Sequence, residues 1–164
     1  MFNEEVFQPL HSSPKSVLLA IEDSEQDYEM IRRAVQKSSV SCDLHHCETG
    51  EEALQFLRYQ GIHQNRQQLG QPALILLDLN LPGTDGREIL SQIKQDPQLK
   101  QIPVVIFSTS SSPKDIAECY QRGANAYVIK PMDIALFRES INLLMLHWLK
   151  VNIPCTELST PTPI

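Results

Sequence analysis

The stretch Ala73-Leu74-Ile75-Leu76-Leu77-Asp78-Leu79-Asn80-Leu81-Pro82-Gly83 constrains the fold more than any other part of the chain. A run this apolar and this short predicts a strand covered on both faces, the condition of a parallel sheet flanked by helices. It stops at a carboxylate and a Pro-Gly turn, and open parallel sheets bind ligands beyond the carboxyl ends of their strands. Asp78 is therefore expected at the edge where chemistry takes place. Val17-Leu18-Leu19-Ala20-Ile21 repeats the pattern and stops at Glu22-Asp23. Singly, each acid is accounted for as the opening of a helix or turn, where acids are common. If the two strands are neighbours, Glu22, Asp23 and Asp78 converge in a negative pocket that a cation must offset. An all-oxygen donor set favours Mg²⁺.

Strand-like and helix-like segments alternate along the chain in five pairs, which predicts a wound α/β domain around a parallel sheet. Ser24 with Asp27 reads as a capping box opening a helix that presents Tyr28, Ile31, Ala34 and Val35. The second strand is expected over 43–47. Thr49 with Glu52 forms another capping box, and that helix runs to about Tyr59 before Gly61. The Gln-rich stretch 62–71 has no apolar period and reads as a solvated loop. Thr84 or Asp85 opens a third helix carrying Ile89, Leu90 and Ile93, ended by Asp96-Pro97. Strand four covers 104–107. Ser112 caps a fourth helix with Pro113 at its first position and Gly123 past its end, and strand five covers 126–129.

Composition narrows the function. A chain of 164 residues has room for one domain, and 41% hydrophobic with 21% charged residues is a globular balance. No run reaches the roughly 18 to 20 apolar residues that cross a bilayer, so no membrane association is expected. The start Met1-Phe2-Asn3-Glu4-Glu5 lacks the basic-then-apolar pattern of a signal peptide, and Cys42, Cys47, Cys119 and Cys155 form no C-x-x-C pair. Both observations predict reduced thiols in a cytoplasmic protein. A net charge of −6 without a basic stripe argues against nucleic-acid binding. His45 and His46 are adjacent in a strand and face opposite sides, which argues against a joint metal site.

Strand four ends in Ser108-Thr109-Ser110 and strand five in Lys130-Pro131, so a hydroxyl and an ammonium join the acids at one edge. That set suits phosphoryl transfer to Asp78. A carboxylate attacking phosphorus needs its own charge and the donor's offset, which a metal and Lys130 can do, while Ser108 hydrogen-bonds a phosphoryl oxygen.

The pieces Ile21-Glu22-Asp23, Leu77-Asp78-Leu79-Asn80-Leu81-Pro82, Asp85-Gly86, Pro103-Val104-Val105-Ile106-Phe107-Ser108 and Gly123-Ala124-Asn125-Ala126-Tyr127-Val128-Ile129-Lys130-Pro131 together resemble the receiver domain of two-component response regulators, over roughly 16–149. The resemblance implies a flavodoxin-like sheet of order 2-1-3-4-5 with Asp78 as phosphoacceptor. It places Mg²⁺ on Asp23, Asp78 and the backbone carbonyl of Asn80, with Glu22 acting mainly through water. Lys130 would pair with the bound phosphoryl group. Ser108 and Tyr127 would form the switch pair, the hydroxyl moving toward the phosphoryl oxygens and the ring turning inward, so that the surface of helix four, strand five and helix five changes. Two positions depart from the family pattern: Glu22 replaces the more frequent aspartate, and Thr109 stands where a small residue is common, which bears on how fast phosphoryl donors enter.

Such a protein catalyses only its own phosphorylation and dephosphorylation and is not an enzyme with an external substrate. A phosphatase working through an aspartyl phosphate would want a second acid two residues after the nucleophile, where Asn80 stands. A binding module keeping only the fold would be indicated by loss of Asp78 or Lys130, and both are present. The segment His147-Trp148-Leu149-Lys150-Val151-Asn152-Ile153-Pro154, with Pro103 to Ser110, is similar to small regulators that pair with cyanobacterial phytochrome histidine kinases. This finer likeness implies a stand-alone receiver phosphorylated by such a sensor kinase. The expected division is an N-terminal extension over 1–15, the receiver over 16–150 and a C-terminal extension over 151–164 without a separate output domain. In helix five, Ile134, Phe137, Ile141, Leu144, Met145 and Trp148 form the expected core face. Leu136, Leu143 and Leu146 form a second stripe, from which a homodimer through helix five and the following residues is expected.

Overall fold

The computed structural model describes residues 15–155, and the expectations for 1–14 and 156–164 lie outside the described residues. Its five strands are β1 (Ser16–Ile21), β2 (Cys42–Cys47), β3 (Leu74–Leu77), β4 (Val104–Ser108) and β5 (Ala126–Ile129). They form one sheet in the order β2-β1-β3-β4-β5, and every pairing is parallel. The helices are α1 (Glu25–Lys37), α2 (Gly50–Leu57), α3 (Gly86–Gln95), α4 (Pro113–Gln121) and α5 (Ile134–Met145).

The three central strands read as unbroken apolar runs because both faces are covered. Leu19, Ile21, Ile75, Leu77, Val104 and Ile106 meet Phe56, Leu57, Ile89, Leu90, Ile93 and Cys119 from α2, α3 and α4. The alternate residues Leu18, Ala20, Leu74, Leu76, Val105 and Phe107 meet Ile31, Ala34, Phe137, Ile141 and Met145 from α1 and α5. Phe107 and Phe137 pack edge to face at 5.0 Å between ring centroids, the favoured geometry of an aromatic pair. Register then aligns the strand ends: Ile21 lies beside Leu77, and Ser108 beside Ile129. The residues that follow β1, β3 and β5 therefore emerge at one edge.

Helix ends follow the sequence signals, with one change of partner. Ser24 accepts from the Asp27 amide, but the Asp27 carboxylate does not return to the cap. The Ser24 amide is taken instead by Glu22 Oε1 at 3.0 Å. Thr49, Asp85, Ser112 and Asp133 cap α2, α3, α4 and α5 through their side chains. Gly123, at φ +100°, ends α4 in the left-handed conformation that a residue with a Cβ rarely adopts.

Three expectations are corrected. Helix α2 stops at Leu57, and the stretch read as a solvated loop is a 3₁₀ helix over Gly61–Leu69. Its anchor is a charge rather than an apolar stripe, which is why periodicity missed it. Arg66 is buried with its guanidinium carbon 3.3 Å from the centroid of the Phe56 ring, and it donates to the carbonyls of Phe56 and Gly70. Ile134, expected in the core, is 71% exposed, because the core face of α5 begins at Phe137. Leu146 packs against the core with Leu144 and Trp148 rather than joining the outer stripe. A π turn over Leu146–Val151 follows α5; its extra residue per turn rotates the side chains after Leu146 relative to an α-helical projection.

Candidate functional site

The ends of β1, β3 and β5 bring four charged groups to this edge. Glu22 and Asp23 follow β1, Asp78 follows β3, and Lys130 follows β5. Burial there is unusual for such residues: Glu22, Asp78 and Lys130 are all at most 7% exposed, which charged side chains tolerate only when paired. The pairing is direct. Lys130 Nζ donates to Glu22 Oε2 at 2.7 Å, Asp27 Oδ2 at 2.7 Å and Asp78 Oδ2 at 3.1 Å. All three of its protons are used, and three elements are tied to the end of β5.

One ammonium does not balance this many carboxylates. Burial pushes the Glu22 carboxyl up to about 7, with the Asp78 charge adding to the rise and Lys130 opposing it. Burial alone would lower Lys130, but hydrogen bonds to Asp27 and Glu22 outweigh it and hold the ammonium above the usual lysine range. The site thus keeps its lysine charged and still carries excess negative charge. One carboxylate oxygen from each of Glu22, Asp23 and Asp78 lies within 4.8 Å of the others. This cluster of hard oxygen donors, with Asp23 exposed to solvent, fits a divalent cation that keeps part of its water shell.

The turn after β3 is held against the sheet by α3. Gly86 donates its amide to the Leu79 carbonyl at 3.0 Å. A Cβ at position 86 would overlap the Asp78 carbonyl oxygen and the Leu79 backbone, so this approach requires glycine. With Asp78 Oδ2 on Lys130, Oδ1 receives, among the described residues, only the Asn80 amide, at a long 3.3 Å. Asn80 itself is exposed.

The hydroxyl and aromatic residues occupy the next layer. Ser108 is fully buried, and its Oγ accepts from the Ser110 amide at 3.2 Å. Tyr127 is half-buried against the core and donates its hydroxyl to the Ser110 carbonyl at 2.9 Å. Thr109 is exposed beside them. Among the described residues neither Ser108 nor Tyr127 hydrogen-bonds the acids. His45 and His46 do face opposite sides: His45 lies against Phe56, whereas His46 stacks on Tyr28 and contacts the Glu22 carbonyl.

A family model described as the response regulator receiver domain matches residues 18–142. The chain belongs to this family. Response regulator Rcp1 of Synechocystis sp. is 37% identical to this receiver over 144 residues, spanning 87% of it and 96% of Rcp1. The crystal structure of the phosphorylated cyanobacterial phytochrome response regulator RcpA superposes with a TM-score of 0.81 at 35% identity, covering 87% of this receiver and 99% of RcpA. The Mn²⁺-bound form of Rcp1 gives 0.79 at 36% identity, with 87% and 100% covered. The chain is thus a receiver related to the phytochrome response regulators, and its acidic cluster fits the divalent metal that receivers bind.

The sequence reading of this receiver brought Glu22, Asp23, Asp78 and Lys130 to the correct edge and overlooked Asp27. In the sequence Asp27 reads as part of a capping box, yet its carboxylate is one of the two shortest contacts of Lys130. The signal available was position: an acid in the first turn of a helix that starts at the same sheet edge. Arg87 and Asp115, joined at 2.7 Å between α3 and α4, also went unread because their meeting depends on packing between helices.

Proposed function

We propose that this receiver accepts a phosphoryl group on Asp78 from the phosphohistidine of a sensor kinase of the phytochrome class. Asp78 Oδ1, the less engaged oxygen, attacks phosphorus; the P–N bond of the donor breaks, and its electron pair stays on the imidazole. Water later cleaves the acyl phosphate, returning the carboxylate and inorganic phosphate. Glu22, Asp23, Asp78 and the Asn80 carbonyl would hold Mg²⁺, which when bound offsets the charge of the phosphoryl oxygens. Lys130 pairs with the phosphoryl group by exchanging its contact with Asp78 Oδ2 for a phosphoryl oxygen, while Glu22 and Asp27 keep it charged. The observation that carries this reading is the buried Lys130 bridge between the strand ends, beside one carboxylate with a loosely held oxygen.

Ser108 donates to the phosphoryl group, and Tyr127 transmits the change to the surface of α4, β5 and α5. The receiver occupies 16–150 and acts in the cytoplasm. Leu136 and Leu143, 55% and 57% exposed on α5, form the seam of a homodimer. Light scattering that finds only monomer at high concentration, with and without phosphorylation, removes the dimer from the proposal. Incubation with acetyl phosphate and Mg²⁺ is expected to add one phosphoryl mass to the wild type and none to Asp78→Asn. Equal labelling of the two proteins overturns the assignment of Asp78.

A further inference from the structure

The loop between β4 and α4 is organised around Ser110, whose polar groups are all engaged. Its amide donates to Ser108 Oγ at 3.2 Å and its carbonyl accepts from the Tyr127 hydroxyl at 2.9 Å. Its own hydroxyl donates to Asp115 Oδ2 at 2.6 Å and accepts from the Ser112 amide at 3.3 Å. Both residues of the proposed switch are thus hydrogen-bonded to one intermediate serine.

That serine is in turn held from the far side of the site. Asp115 Oδ1 pairs with Arg87 Nη2 at 2.7 Å, and Arg87 Nη1 reaches Asp85, the N-cap of α3, at 2.9 Å. The side chains of Arg87 and Asp115 are only 19% and 24% exposed, so water screens the pair less than it would a surface bridge. The hydrogen bond from Ser110 and the Arg87 charge hold the Asp115 carboxyl below the usual range, so it stays an acceptor at neutral pH. Arg87 is covalently next to Gly86, the residue wedged against the Asp78 carbonyl. A continuous physical path therefore runs from the backbone of Asp78 through Gly86, Arg87, Asp115 and Ser110 to Ser108 and Tyr127.

We propose that Ser110, clamped by Asp115 and Arg87, is a positioning residue that sets the two switch hydroxyls together. This rests on the receiver function proposed above and names a regulatory element of the same site. The Ser110 amide fills the acceptor position of Ser108, which leaves the Ser108 proton free for an incoming phosphoryl oxygen. The Ser110 carbonyl keeps the Tyr127 ring folded against the core. Loosening the clamp frees the loop, so both hydroxyls lose their placement at once. A coupling of this kind is visible as non-additivity between the residues it joins.

The test uses protein labelled with fluorotyrosine, whose four tyrosines are distinguished by assigning the Tyr127 resonance with Tyr127→Phe. Beryllofluoride with Mg²⁺ serves as the phosphoryl mimic. Asp115→Asn and Ser110→Ala are expected to move the Tyr127 resonance toward the solvent-exposed position in the resting protein. They should also weaken beryllofluoride binding about fivefold to tenfold. Ser110→Thr, which keeps the hydroxyl, should restore both readings. Ser110→Ala combined with Tyr127→Phe should weaken the mimic no further than the stronger single variant. Unchanged resonance and affinity in both clamp variants, or a threonine variant that behaves like alanine, overturns the proposal. A wild type that does not bind the mimic refutes the receiver function itself, and the fluorine shifts of the resting protein still decide whether the clamp exists.

Discussion

Lys130 and Arg66 are both cations buried to within 7% of full coverage, yet they are satisfied in opposite ways. Lys130 holds three carboxylates, whereas Arg66 holds two backbone carbonyls and the face of Phe56. Carboxylates are mobile in charge: they can be protonated, can turn to a metal, or can be modified. Carbonyls and an aromatic ring offer none of these exchanges. The first arrangement suits a site whose occupancy changes, and the second pins a segment permanently. What separates a functional buried charge from a structural one here is thus the exchangeability of its partners, not its depth.

Removing each cation sharpens that contrast. Lys130→Ala leaves buried carboxylates facing one another and should cost roughly 3 kcal/mol at neutral pH, while the domain still folds and its response to phosphorylation is lost. Lys130 opposes the rise of the Glu22 carboxyl, so without the ammonium the folded-state value of Glu22 climbs further above its unfolded one. The deficit should therefore grow with rising pH and shrink toward pH 5 as Glu22 takes up a proton, as urea titrations across pH would record. Arg66→Met retains most of the stem volume and should cost about 2 kcal/mol by urea titration, from the lost stacking and the two stranded carbonyls. Its phosphorylation by acetyl phosphate should match wild type. A strong phosphorylation defect in Arg66→Met would break the contrast between the two charges.

The smallest expected effect comes from the histidines around Phe56. Burial lowers the His45 pKa below its ordinary 6.5, the Arg66 charge lowers it further, with His63 acting in the same direction and Asp43 opposing. The folded state therefore binds fewer protons than the unfolded one. The stability this provides is full above about pH 6.5 and is lost as pH falls through the lowered folded value. Amide exchange within Gly61–Leu69 should accelerate over that window. In Arg66→Met the acceleration should be weaker, since one source of the lowering is gone.

These two regions also mark where sequence reading succeeds. Strands β1, β3 and β4, and the acids that end β1 and β3, are legible because burial on both faces forces unbroken apolar runs that polar residues must interrupt at the edge. The parallel sheet then brings Glu22, Asp23, Asp78 and Lys130 together once its strand order is known, which the family resemblance supplied. The 3₁₀ helix was illegible because Arg66 replaces the apolar stripe that periodicity detects. Ile134 is misplaced because the core face of α5 begins only at Phe137, and Leu146 because a helical projection does not show that it packs against the core beside Leu144 and Trp148. Asp27 offered two roles, and the local capping role masked the long-range one.

The Lys130 bridge has a further consequence for the life of the protein in the cell. Because an internal ammonium cross-links the ends of β1, β3 and β5, integrity of the fold does not depend on an imported cation. A chelator is therefore expected to silence the protein without unfolding it. Changes in cation supply would then alter how many molecules are ready to respond, while leaving the number that escape proteolysis unchanged.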